Sequence, residues 1–294
     1  MSLPLDYDSP SALRAFLDER GMAMQKKFGQ NFMVNPRSRA ALLDSLNAEE
    51  GELVWEVGPG LGAMTRGLLD RKLRVRMFEI DRGFAQALRD IFEGEERVSL
   101  VEGDALKTIF SESKAGLPRY FFGNLPYNIA ATLLAQCVER GLFFERQVIT
   151  VQKEVAQRMA ARAGSSEYSS ISVLLSTVYK VQYTGTLKPG CFWPQPHVDS
   201  ASLLLERRSA EDIAAIPPLL YPLVRGLFGQ RRKMISNTLE RFVATRINNG
   251  RDSRDCAQAI LKSAAISGTE RVEKLDAEVL TALAISTGRI LEVD

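Results

Sequence analysis

The chain has 294 residues, enough for one larger and one smaller domain, each with a core of its own. Its 38 Lys and Arg against 36 Asp and Glu leave a formal charge of +2, so attraction for nucleic acid must come from a local patch, not a basic arm. Cys137, Cys191 and Cys256 lie far apart without CxxC spacing and His197 is the single histidine, which excludes a metal set or a Cys/His nucleophile pair and predicts free thiols in a reducing cytoplasm.

The N-terminal stretch MSLPLDYDSP carries acids and prolines where a leader would carry bases and an apolar run, and nowhere do about 18 apolar residues follow one another. Neither export nor membrane spanning is expected. Asn35-Pro36 marks a helix start leading into RSRAALLDSL, with Asn35 as cap and Pro36 as the first helical residue. From about residue 50 to 207, short apolar runs alternate with helical patterns, the mark of a parallel sheet covered by helices. The predicted strands are ELVWEV (52–57), LRVRMFEI (73–80), VSLVEG (98–103), YFFGN (120–124) and QVITVQ (147–152), each followed by a helix. VQYTGTL (181–187) and SASLLLER (200–207) are joined by a segment too short for a helical crossover, so this pair is predicted antiparallel. After Arg208 the strand signal ends. IAAIPPLLYPLVRGLF, RRKMISNTLERFVA, RDCAQAILKSAA and KLDAEVLTALAI read as amphipathic helices. The expected organisation is an α/β domain over residues 1–207 and a small helical domain over 208–294.

EVGPGLGAM sets Gly58, Gly60 and Gly62 between a strand and a helix, a tight turn that lets a nucleotide-like ligand approach bare backbone. Gly58, Gly60 and Ala63 also meet the dinucleotide fingerprint, and Glu79 stands where a ribose-binding acid is expected, so a nicotinamide enzyme stays open here. Glu56 before the glycines, Asp104 after the third strand and Asn124 after the fourth would all line the carboxyl edge of the sheet, which favours S-adenosylmethionine. Any one of these acids alone reads equally well as a helix cap.

Asn124-Leu125-Pro126-Tyr127 follows the fourth apolar run. An aromatic amine such as that of adenine is a poor nucleophile because its lone pair is spread into the ring. An Asn amide oxygen and a backbone carbonyl ahead of Pro can accept both amine hydrogens while a Tyr ring stacks on the base, which points to methylation of an adenine amine. The alternative is an ordinary turn, with Asn124 or Asn128 capping a helix that begins at Ile129. Phe121, Phe122, Phe143 and Phe144 read as core aromatics, not base platforms.

KKFGQNF (26–32), EVGPGLG (56–62), GDA (103–105), NLPYNI (124–129), FWPQPHVDS (192–200) and FGQRRKMISNTL (228–239), in this order, resemble the ribosomal RNA adenine dimethyltransferases, most closely the bacterial small-subunit enzymes. The resemblance spans about residues 24 to 240. It implies a Rossmann-like methyltransferase sheet with an all-helical C-terminal domain, and S-adenosylmethionine as cofactor. It also implies dimethylation of two adjacent adenosines in a loop near the 3′ end of 16S rRNA, within late-assembly small ribosomal subunits in the cytoplasm. The family's cofactor positions correspond to Asn31, Met33, Gly58, Glu79, Asp104 and Asn124, joined by Gly60 of the turn; its target-base positions correspond to Asn124, Leu125, Tyr127 and, by stacking, Phe192. Met33 stands where Leu is usual, a swap that conserves volume, and His197 where Lys is common. The near-neutral charge departs from the strongly basic resistance relatives that methylate 23S rRNA, an activity that remains an alternative together with a mainly assembly-factor role. A DNA adenine methyltransferase would place Pro where Leu125 stands.

Between Arg225 and Arg254 the bases Arg225, Arg231, Arg232, Lys233, Arg241, Arg246, Arg251 and Arg254 face only Glu240 and Asp252, a candidate phosphate-binding surface, with Arg225, Arg231, Arg232 and Lys233 as its expected centre. Lys26, Lys27, Arg37 and Arg39 form a smaller candidate patch near the cofactor entrance. No metal is expected, and a monomer is.

Overall fold

A computed structural model describes residues 5–22, 24, 30–126, 129–247 and 251–292. The chain divides into two compact units, Met1–Ala156 with Val181–Arg207, and Gln157–Lys180 with Arg208–Asp294.

The first unit opens with helix α1 (Pro10–Glu19), started by Ser9, whose hydroxyl accepts from the Ala12 amide, and by Pro10 in the first turn. Strand β1 (Phe32–Met33) and helix α2 (Pro36–Leu46) follow, and Asn35 caps α2 as predicted, its side chain accepting from the Ser38 amide at 2.9 Å. Then come β2 (Leu53–Val57), α3 (Ala63–Asp70), β3 (Arg74–Glu79), α4 (Arg82–Ile91), β4 (Val98–Glu102), α5 (Ala105–Glu112), β5 (Tyr120–Asn124), α6 (Ala130–Glu139), β6 (Arg146–Gln152) and α7 (Lys153–Met159). After α8 (Ser170–Val178), β7 (Tyr179–Leu187), β8 (Phe192–Trp193) and β9 (Ser200–Arg207) complete the strands.

Seven strands form one sheet in the order β4-β3-β2-β5-β6-β9-β7. The five from β2 to β6 are parallel to one another, and β9 runs antiparallel to β6. Side chains pair Gln182 with Glu206 and Thr184 with Ser202, counting in opposite directions along β7 and β9, so this pair is antiparallel as predicted. A parallel sheet covered on both faces requires strands that are apolar throughout, and β2, β5 and β6 bury almost every residue. Trp55, Phe121, Phe122 and Phe144 are at most 1 % exposed, which places these phenylalanines in the core, whereas Phe143, also expected there, is only half-buried. β1 and β8, too short to register in the sequence pattern, pair antiparallel as a separate ribbon, Met33 opposite Phe192.

In the second unit, a short helix α9 (Ala210–Ala214) stands mostly ahead of the first amphipathic pattern, and helices α10 (Leu220–Phe228), α11 (Ile235–Ala244), α12 (Ser253–Ser263) and α13 (Ala277–Leu291) appear where those patterns lie. Residues 157–180, assigned from sequence to the first domain, belong to this unit instead. The reason is α8: it buries Val173, Leu174, Leu175 and Val178 at once, so one covered face does not suffice, and α9, α10 and α13 pack against it. The Tyr168 hydroxyl donates to the Leu275 carbonyl at 3.0 Å and ties the same segment down.

Candidate active site

The carboxyl ends of β2, β3, β4 and β5 open on a cavity of about 270 Å³. Its floor is the turn after β2. Gly58 has φ +72° and a Cβ there would stand 3.3 Å from the Asn124 carbonyl oxygen, so glycine is what lets the turn pass the end of β5. Gly62, at φ +85°, ends the turn and starts α3, and a Cβ there would stand 2.5 Å from the Phe92 ring.

Two buried carboxylates stand in the wall. Glu79 ends β3 and is 7 % exposed; Oε1 accepts from the Asp81 amide at 2.8 Å. Burial raises its pKa to about 7, against the lowering effect of that hydrogen bond. Glu56, 1 % exposed on β2, accepts from the Thr65 hydroxyl at 2.6 Å, and burial first, with repulsion from Glu79, also lifts it to about 7. Two such acids in a largely apolar cavity call for a cation or hydroxyl donors from a ligand. Asp104 caps α5, accepting from the Leu106 amide at 3.0 Å, and lines the cavity as well, so both sequence readings of this acid hold.

Asn124 ends β5. Its amide nitrogen donates to the Asn31 carbonyl at 3.0 Å and its Oδ1 accepts from the Thr150 hydroxyl. It therefore caps no helix; among the described residues no side chain caps α6, the Ile129 and Ala130 amides donate to the Pro126 carbonyl, and Asn128, the other cap candidate, lies outside the described residues. Asn31, Met33, Gly58, Gly60, Glu79, Asp104 and Asn124 all line this one cavity, although they come from sequence segments far apart.

A glycine turn, two buried acids and an oriented Asn thus share one chamber. The sequence model for ribosomal RNA adenine dimethylase matches residues 21–277. The chain belongs to that family. It is 41% identical over 275 residues to the ribosomal RNA small subunit methyltransferase A of Treponema denticola, covering 92% of both chains. To the enzyme of the same name from Borreliella burgdorferi it is 34% identical over 248 residues, 84% of this chain and 86% of that one. A dimethyladenosine transferase from Plasmodium falciparum shares the fold, with a TM-score of 0.75 at 22% identity over 87% of this chain and 97% of that one. The 23S rRNA methyltransferase ErmE superposes with a TM-score of 0.59 at 23% identity, over 86% and 97% of the two chains. The enzyme is accordingly an rRNA adenine dimethyltransferase built on a Rossmann-like methyltransferase sheet.

For the target base the structure corrects one expectation. Phe192 is 2 % exposed, paired with Met33 across the small ribbon and packed among Leu42, Leu43 and Leu204, so its ring offers no face to a base. The expectation came from the correspondence of Phe192 to a target-base position of the resembled family, and the burial follows from the ribbon with β1 and the core it joins. Leu125 buries its side chain at 1 % and donates its amide to the Thr150 carbonyl at 3.0 Å; Tyr127 lies outside the described residues. In the basic patch, Arg225, Arg232 and Lys233 are exposed. Arg231 pairs with Glu273 at 2.9 Å and donates to the Ser166 carbonyl at 3.0 Å, so it braces the helical unit. Arg39 likewise pairs with Asp8 and donates to the Met33 carbonyl at 2.8 Å, while Lys26 and Lys27 lie outside the described residues.

Sequence reasoning missed Tyr7 and Leu13, which line the cavity from the N-terminal segment. The Tyr7 hydroxyl donates to the Leu61 carbonyl at 3.0 Å, and burial pushes the phenol up to about 12. No motif marks Tyr7; the amphipathic spacing of Leu13 and Leu17, both buried on α1, is the signal that could have shown that this segment docks. Among the described residues no group of three or more His, Cys, Asp or Glu could hold a metal ion, and no helix is long and apolar enough to cross a membrane.

Proposed function

We propose that the cavity holds S-adenosylmethionine and that the segment from Asn124 to Tyr127 presents to it the 6-amino groups of two adjacent adenosines near the 3′ end of 16S rRNA, in the small ribosomal subunit. The observation that carries this is Asn124 lining the same chamber as Glu79 and Asp104. Bound there, S-adenosylmethionine would supply a methyl group on a positively charged sulfur that keeps the bonding pair and leaves as a neutral thioether. Glu79, ionised, accepts from the ribose hydroxyls, Asp104 from the adenine amine of the cofactor, and Glu56 adds negative charge to a wall that favours a cation. Asn31, Met33, Gly58 and Gly60 shape the remaining surface.

Asn124 Oδ1 and the Leu125 carbonyl accept the two hydrogens of the target amine, which draws its lone pair out of conjugation and aims it in line with the methyl. They orient the amine and take no proton, so the proton released after attack passes to solvent. Stacking on the base is assigned to Tyr127. Exposed Arg225, Arg232 and Lys233 supply phosphate contacts, and the enzyme works as a monomer in the cytoplasm. The small-subunit substrate is favoured because the bacterial relatives at 34–41% identity are named for it. The deciding experiment is incubation with labelled cofactor and undermethylated small subunits, followed by mapping of the modified nucleotides. Two adjacent dimethyladenosines in 16S rRNA are expected; methyl groups in 23S rRNA alone, or in neither, would refute the assignment.

A further inference from the structure

Thr150 lies opposite Asn124 in the register of β5 and β6 and is 1 % exposed. Its neighbours Ile149 and Val151 are fully buried, and a valine at 150 would suit a covered strand equally well, so strand formation and packing leave the hydroxyl unexplained. A buried hydroxyl is costly unless bonded, and this one has a partner in Asn124.

The polarity of that contact is forced. The Asn31 carbonyl can only accept, so the end of the Asn124 amide that meets it at 3.0 Å is the nitrogen. Oδ1 therefore faces Thr150. An amide oxygen has no hydrogen to give, so the single hydroxyl hydrogen of Thr150 is donated to Oδ1. With both ends tied, the amide plane cannot turn over, and the second lone pair of Oδ1 points in one direction. The main chain of the same residue acts next door, where the Thr150 carbonyl accepts from the Leu125 amide at 3.0 Å.

We propose that Thr150 is a positioning residue for methyl transfer, holding Asn124 Oδ1 and the Leu125 peptide in the attitude that receives the target amine. The inference rests on the reading of Asn124 and Leu125 as acceptors. It assigns Thr150 no contact with substrate or cofactor. Because Asn124 is also one of the family's cofactor positions, the effect of Thr150 should fall chiefly on the rate of transfer, with at most a small change in cofactor binding.

The test measures single-turnover methyl transfer to undermethylated small subunits, with S-adenosylmethionine affinity determined in parallel. Thr150→Val and Thr150→Ala keep the main-chain bond and lose the hydroxyl; each should slow transfer about tenfold or more, since a misplacement of order an ångström costs up to about a hundredfold. Cofactor affinity should stay within about threefold of wild type, and Thr150→Ser should restore transfer to within a similar factor. In an Asn124→Ala background, adding Thr150→Val should change nothing further, because the group it positions is gone. Wild-type transfer in Thr150→Val alongside a large loss in Asn124→Ala would discard the role of Thr150 and leave the acceptor reading standing. Near-normal transfer in Asn124→Ala would overturn both. Loss of cofactor affinity in both the Val and Ala variants would show a merely structural role and overturn the proposal.

Discussion

Replacing Glu56 with Gln should make the protein more stable, and increasingly so as pH rises. Burial lifts the Glu56 pKa from 4.5 to about 7, and the Thr65 hydroxyl that donates to it would donate equally well to a Gln side-chain oxygen. Each pKa unit corresponds to about 1.4 kcal/mol, so the ionised carboxylate costs the fold on the order of 3 kcal/mol. The sign follows from proton counting. Between pH 4.5 and 7 the folded chain keeps a proton that the unfolded chain has released, so this group lowers stability progressively as pH rises through that window, and the loss levels off above the folded pKa. Gln carries no such penalty. Thermal unfolding of wild type and Glu56→Gln at pH 4 and pH 8 should nearly coincide at the lower pH and separate at the higher one by roughly 6–12 °C, taking about 2–4 °C per kcal/mol for a unit of this size. Parallel profiles at both pH values would refute the assignment of a strained carboxylate, and a less stable variant would show that the charge is paired.

Glu79 offers a binding counterpart: its pKa of about 7 means that the acceptor form is incompletely populated at neutrality, so S-adenosylmethionine affinity should rise from pH 6 to pH 8, and Glu79→Gln should weaken binding at least tenfold and flatten that dependence in calorimetric titrations. In the helical unit, Arg232→Ala with Lys233→Ala should lower the slope of log affinity for small subunits against log salt by up to about 2, at about 0.9 per phosphate contact, with cofactor binding unchanged. Arg231→Ala should instead act on stability, by up to about 1 kcal/mol in denaturant titrations, because its guanidinium is already engaged by Glu273. Tyr7→Phe removes the bond to the Leu61 carbonyl and should destabilise the first unit by about 1 kcal/mol while weakening cofactor binding through the loosened wall, measured by calorimetry.

The strand pattern was legible because covered parallel strands are continuous apolar runs with sharp ends; LRVRMFEI reads as a strand in isolation, and the structure places β3 within it at Arg74–Glu79. The cap at Asn35 was legible because the bond it makes is three residues away. The cavity wall was legible in part, since Gly58, Glu79, Asp104 and Asn124 each follow a strand, and strand ends in a parallel sheet meet at one edge. Phe192, Arg231 and the segment 157–180 were not, because each depends on a partner elsewhere in the chain: Met33, Glu273, and helices α9, α10 and α13.

Composition, periodicity and local turn chemistry determined by themselves an α/β sheet, a helical second unit and the placing of Gly58, Glu79, Asp104 and Asn124 at one edge, whereas Asn31 and Met33 came with the family resemblance. Tertiary structure alone decided that Tyr7 roofs the cavity, that Phe192 is hidden, and which end of the Asn124 amide faces Thr150. The division is physical: local signals come from bonds spanning a few residues, whereas the Tyr7 bond to Leu61 spans 54 positions and the Asn124 bond to Asn31 spans 93, so only the packed sheet brings these partners together.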